Sequence, residues 1–298
     1  MLTRQTLISA VWIISALPCC VIASKRAVEL SVKPTSELVE LLKAEDAVDR
    51  KDALHALSLK SPPVTGPIAE AVLTDRDATV RREAIELLGS KCDTRMSANC
   101  DAKVAYSLAI AIDDEDSRNG LESAVAAIRV NAVPPEGAIA KIDSILRGPD
   151  FDLRTSALLD FGELGYRGEV FIPAITELIN DSDHHNRNLA FGALSVIGKA
   201  SVPVIISFLD HRDENLQLEA ALVLAELAPD TSGLVEHLSN GLRNRDADYR
   251  KYSAHACAFL SQETAQELMP ELEELLGDSE EEVRDSARNA IQKLSDKK

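Results

Sequence analysis

Eight times along this 298-residue chain an acidic residue stands four positions before an Arg, which stands three before a small or apolar anchor. The copies read Asp46/Arg50/Ala53, Asp77/Arg81/Ala84, Asp114/Arg118/Leu121, Asp150/Arg154/Ala157, Asp183/Arg187/Ala190, Asp213/Gln217/Ala220, Asp246/Arg250/Ser253 and Glu280/Arg284/Ala287. Only Gln217 replaces the Arg and only Glu280 replaces the Asp. The anchors recur every 30 to 37 residues. A period in this range is the signature of stacked repeats, each one supersecondary unit that cannot bury its apolar face alone. Chain length alone would argue for about two domains, but a repeat stack shares one core along its length.

The spacing around each anchor predicts helices. Four residues on stand Leu57, Leu88, Val125, Phe161, Leu194, Leu224, Cys257 and Ile291, and the seventh position is apolar in most copies. Anchor, +4 and +7 share one face of a 3.6-residue helix, and a neighbouring hairpin must cover it. Before each such helix runs a shorter apolar one, with Pro67, Pro173 and Pro203 near the first turn, where a missing N–H costs nothing. The expectation is an all-α solenoid of about eight helical hairpins over 36–298, after a spacer at 24–35. Each Asp is placed at a helix N-cap. Each Arg is expected to pair with that Asp one turn back or with an Asp of an adjacent repeat, forming a structural ladder. An exposed rung would contribute about 0–1 kcal/mol, so its expected use is to fix the angle between repeats.

The run Asp77-Ala78-Thr79-Val80-Arg81-Arg82-Glu83-Ala84-Ile85-Glu86-Leu87-Leu88-Gly89 resembles the Asp-x-x-Val-Arg-x-x-Ala-x-x-x-Leu-Gly signature of HEAT repeats, particularly the short class first seen in phycobilisome lyases. Glu280 to Ile291 resembles it too, through Val283, Arg284 and Ala287. The resemblance covers about residues 36–296. It implies a right-handed α-solenoid, a superhelix of helix pairs, and a protein-interaction role, but no particular activity. The third copy, with Gly120 beside Leu121, and the sixth, with Gln217, depart most from the pattern.

Composition narrows the partners. With 32 Lys and Arg against 49 Asp and Glu, the chain carries −17 formal charges. That field repels phosphate backbones, so nucleic acid is not an expected partner. Residues 1–23 read as a signal peptide: Arg4, an apolar run from Leu7 to Leu17, Pro18, then Val21-Ile22-Ala23 as a cleavage site. Export, to the periplasm, is the expectation. The alternative is an uncleaved N-terminal membrane segment, the one membrane contact expected, because Lys25-Arg26 follows at once. Cys92 and Cys100 flank a polar loop between the second and third repeats and are expected to form a disulfide in an oxidising compartment. Cys257, four residues after its anchor, reads as a small core residue.

Enzymatic relatives of the fold can be tested by residue. HEAT-type deoxyhypusine hydroxylases use His-Glu pairs for iron, and none of the six histidines here precedes a Glu. HEAT-like DNA glycosylases use a basic groove with aromatics, whereas this chain is acidic with one Trp, Trp12. Export would separate the chain from phycobiliprotein assembly, the setting of the phycobilin lyases. Asp181, Asp183, His184 and His185 share one elbow, while Asp210, His211 and Asp213 occupy the next, which makes a metal-binding or metal-dependent ridge the alternative function. Capping already explains the elbow acids, and neither a metal site nor a cofactor is expected.

A groove is the preferred functional surface. The second helices of such stacks line the concave side, and positions −2, +2 and +5 from the anchor point away from the core. In the central repeats these are Thr155, Leu159 and Gly162; Asn188, Gly192 and Ser195; and Leu218, Leu222 and Ala225. Arg82, Glu86, Lys251 and His255 supply polar edges in the flanking repeats. A low-charge strip with polar margins has the composition of a partner groove, although tight curvature would bury the same side chains against their neighbours. The sequence thus predicts an exported, monomeric, non-catalytic scaffold for a protein or peptide.

Overall fold

The computed structural model describes residues 24–91, 102–131, 134–179 and 184–296, and every regular element among them is helical. Residues 1–23, Cys92, Cys100, Asp181 and Asp183 lie outside the described set, as does the side chain of His184. The protein is an all-α solenoid built from helical hairpins. By internal contacts it divides into two compact units, one ending at Val196 and the other beginning at Ile197.

In the first unit the hairpins are α2 (Thr35–Leu41) with α3 (Ala47–Ser58), α4 (Thr65–Thr74) with α5 (Ala78–Lys91), and α6 (Ala102–Ala111) with α7 (Ser117–Val130). There follow α8 (Glu136–Leu146) with α9 (Phe151–Leu164), and α10 (Ile172–Ile179) with α11 (His184–Ile197). First helices pack on first helices, as α4 does on α6 and α8 on α10, while α3, α5, α7 and α9 pack in sequence as a second layer. The second unit repeats the scheme with α12 (Val202–Ile206), α13 (Glu214–Leu227), α14 (Leu234–Leu242), α15 (Ala247–Cys257), α16 (Gln262–Gln266), α17 (Met269–Glu274) and α18 (Glu281–Asp296). There α13, α15 and α18 form the second layer.

The segment expected as a spacer is partly helical. Lys25–Leu30 forms α1, capped by Ser24 and packed on α3 with Ala27 fully buried. Ser24 donates its hydroxyl to Asp52 at 2.6 Å, and Arg26 pairs with Asp49 at 2.6 Å. α1 therefore covers the open end of the first hairpin, as solenoid termini require.

The elbow acids cap helices. Asp46, Asp77, Asp116, Asp150, Asp213 and Asp246 each accept a backbone N–H from the following turn at 2.8 to 3.1 Å. In the third copy the cap is Asp116, two residues beyond the Asp114 of the sequence pattern. The register moves with it: Gly120 takes the Arg position, and buried Ser123 becomes the anchor. Every anchor is then Ala or Ser, and all are buried. Small anchors let helices approach closely; a Cβ added to Gly241 of α14 would lie 2.0 Å from Ser253 Oγ.

Three rungs of the ladder take the second of the two expected partners, an Asp of the next repeat, although only Asp114 is an Asp of the eightfold pattern. Arg50 chelates Asp75 through Nε and Nη2 at 2.8 and 2.9 Å, Arg81 chelates Asp114 at 2.7 and 2.9 Å, and Arg250 chelates Asp278 at 2.7 and 3.0 Å. Each acceptor stands two residues before the cap of the next repeat. It also takes that cap residue's N–H, as Asp75 does from Asp77, Asp114 from Asp116 and Asp278 from Glu280. The remaining guanidinium nitrogen reaches back to carbonyls of its own elbow, Ala44 and Glu45 for Arg50, Asn244 and Arg245 for Arg250. Arg154 and Arg284 make the same backward bonds, to Gly148 and to Asp278 and Ser279.

These pairs are enclosed, not exposed: the Arg50 and Asp75 side chains are 4% and 8% accessible. Planar bidentate geometry and the extra carbonyl bonds are what make burial of two charges tolerable. Where the Arg is absent its acceptor is absent as well. Gln217 faces a repeat with Asn244 in the acceptor position, and Gly120 one with Gly148. Gln217 keeps the backward bond, to His211 O at 2.6 Å, and Asn244 still accepts the Asp246 N–H. Arg118, expected in the ladder, instead pairs with half-buried Glu122 one turn on in its own helix at 3.2 Å, the Arg side chain itself exposed.

Candidate interaction face

The second-helix layer of the first unit carries a row of polar side chains joined from helix to helix. His55 of α3 meets Glu83 of α5 at 2.7 Å. Arg82 of α5 reaches Asn119 at 3.1 Å, Asp116 at 3.4 Å and Glu122 at 3.6 Å, all on or just before α7. Arg129 of α7 pairs with Glu163 of α9, and Thr155 of α9 bonds Asn186 of α11 at 3.3 Å. Leu159 of α9 breaks this row, with 47% of its surface exposed, while Thr155 and Asn188 are half-buried.

Acids outnumber bases here, and their protonation differs by neighbour. The His55 hydrogen bond holds the Glu83 carboxyl below its ordinary range. Glu86 has no such help: burial, then the charges of Glu122 and Glu83, push it up to about 7. Asp160 is pushed up to about 8 by burial and by Glu163 and Glu122. Burial also raises Glu122, against the pull of Arg118 and Arg82. Sequence reading placed Glu86 on the margin of the strip and passed over Glu122 and Asp160. Their recurrence on the outward face of successive second helices was the available signal.

In the second unit the expected strip is less open. Leu218 and Leu222 are half-buried on α13, and Ala225 is buried. Gly192, counted in the strip of the first unit, is buried too. Lys251, expected at a polar edge, is engaged by Asp248 at 3.0 Å, Glu282 at 2.8 Å and the Tyr252 ring at 4.5 Å. His255 lies edge-on to Phe259 at 5.4 Å, and burial followed by Lys293 lowers its pKa. Cys257 is a buried free thiol pushed up to about 12, as a core residue should be.

Of the metal ridge considered from the sequence, His185, Asp210, His211 and Asp213 are fully described. His211 Nδ1 accepts the Asp213 N–H at 3.1 Å, and the His185 ring lies 6.2 Å from Phe151. Among the described residues, no three His, Cys, Asp or Glu side chains gather into a metal-holding group. No single described helix is long and apolar enough to cross a membrane.

No protein-family model and no curated protein matches the sequence. Solved structures do match in fold. The structure of YIBA_ECOLI covers 92% of this chain and is itself covered to 98%, with 18% identity and a TM-score of 0.53. Importin beta, crystallised in an ammonium sulfate condition, covers 98% of this chain, with 11% identity and a TM-score of 0.57, while this chain spans 47% of it. At these identities the likeness establishes a helical-repeat solenoid and nothing finer.

Proposed function

We propose that the chain is an exported scaffold of the short HEAT class that binds a protein or extended peptide along its second-helix face and catalyses no reaction itself. The observation carrying this reading is Leu159, a large apolar side chain 47% exposed in the middle of a polar layer, beside uncharged Thr155 and Asn188. Covering the exposed half of that leucine gains about 1 kcal/mol. The solenoid fold supports the scaffold role, since stacked repeats present extended surfaces instead of a single cleft. Export rests on the residue pattern of 1–23.

The test is crosslinking pull-down from an envelope fraction with the full chain, Leu159→Asp, and Tyr106→Asp as a control on the first-helix layer. Tyr106 is 64% exposed, so its substitution leaves the core intact. A partner held by the control but weakened roughly tenfold or more by Leu159→Asp is the expected result. Equal capture by both variants overturns the reading, and Leu218→Asp with Leu222→Asp asks the same of the second unit.

A further inference from the structure

We propose that the Glu86–Glu122–Asp160 ridge is a pH-operated brake on the first unit: uncharged, it lets α5, α7 and α9 pack closely, and ionised, it repels itself and loosens that layer. The three carboxyls sit on consecutive second helices that pack directly on one another. Cations reach only part of the ridge. Arg82 and Arg118 approach Glu122 at 3.6 and 3.2 Å, and Arg129 is taken up by Glu163. Glu86 and Asp160 make no ion pair or hydrogen bond among the described residues. Glu122 leaves one carboxyl oxygen, Oε2, buried with no hydrogen-bond partner.

Arg82 pulls Glu86 down and Arg118 pulls Asp160 down, but neither outweighs burial and the neighbouring acids, and the other elements add little. From α3 come His55, already bonded to Glu83, and Lys51, which acts on Glu83. From α11 comes Arg187 in the first turn, followed only by uncharged residues from Asn188 to Ile197. Half-buried like charges that outnumber their counter-ions favour the protonated form. The upward displacement of Glu86 to about 7 and Asp160 to about 8 agrees with that geometry.

The sign follows by linkage. A carboxyl raised in the folded chain binds its proton more tightly there than in the unfolded chain, where it titrates near 4. Stability therefore falls as pH rises from the unfolded value through the folded one, and the full penalty is present only above about 8. This is opposite in sign to the usual acid denaturation of salt-bridged carboxylates. It holds whether or not a partner occupies the same face.

The experiment is urea unfolding of the full chain, Glu86→Gln/Asp160→Asn, and Glu281→Gln as a surface-charge control, at about pH 5.5 and about pH 8.5. Between those conditions, the unfolding constant of the wild type relative to the double variant is expected to rise at least tenfold, with the control unchanged. Carbon-detected NMR titration of the wild-type carboxyls gives a second readout that does not depend on any variant folding. Signals from Glu86 and Asp160 with midpoints above about 6 support the brake. Midpoints below about 5, or a wild-type-to-variant ratio identical at both pH values, overturn it.

Discussion

Arg81 and Arg118 lie on successive second helices, yet their side chains are 8% and 56% accessible. Enclosure decides what each contributes. Arg81→Met would strand the Asp114 carboxylate with its bidentate partner gone, at a cost of about 3–5 kcal/mol. Arg118→Met would remove one of two cations from half-buried Glu122 while Arg82 stays at 3.6 Å, so the loss is expected to be smaller, about 1 kcal/mol. Urea unfolding of the two variants distinguishes these values, and equal losses would mean that the ladder pairs are not enclosed in solution. The acceptors also set the acid limb of stability. Arg250's hydrogen bonds hold Asp278 below the ordinary carboxylate range, while at Asp114 burial pushes upward but Arg81 and the Asp116 N–H outweigh it. Stability from these two acids is complete above their unfolded values, near 4, and is lost as pH falls through their lower folded values. An Arg250→Gln variant is thus expected to show a shallower loss of stability than wild type on acidification below about pH 4, measured by far-ultraviolet dichroism.

At the scale of the element, capping and close approach govern. Asp246→Ala removes the acceptor of the Asp248 N–H at the start of α15 and is expected to cost about 0.5–2 kcal/mol. Gly241→Ala forces a methyl into Ser253, where α14 meets α15, and is expected to cost about 1–3 kcal/mol. A thermal melt of each variant checks both, with the glycine change the larger if the helices cannot separate. Helix positions and caps were legible because they follow from residues a few places apart. The third repeat shows the limit. Asp114…Arg118 and Asp116…Gly120 have the same spacing, and only the former looks like a rung. The fold selects the latter because α7 is capped by Asp116, and Asp114 is already committed to Arg81. Asp75 and Asp278 were not picked out as acceptors for a related reason: Asp75 is 25 residues from Arg50, a distance that no helical periodicity encodes. Their trace was the joint loss of Arg and acceptor at Gly120/Gly148 and Gln217/Asn244.

For the whole molecule, an excess of 17 negative charges acts against compaction. Salt screens exposed repulsion over about 10 Å at 0.1 M but leaves enclosed pairs nearly untouched. The melting temperature is therefore expected to rise by a few degrees between about 0.01 M and about 0.15 M sodium chloride. A fall would mean that attractive surface pairs dominate instead. By itself the sequence determined the repeat, its all-helical character and, outside the third copy, the caps and small anchors of the described repeats, because these depend on residues within one or two turns of each other. Tertiary structure alone decided which carboxylate of the next repeat Arg50, Arg81 and Arg250 hold, which residues of the proposed strip are open, and which carboxyls make no ion pair. Those outcomes depend on how closely neighbouring hairpins approach, and so on burial and charge contributed by residues a full repeat away.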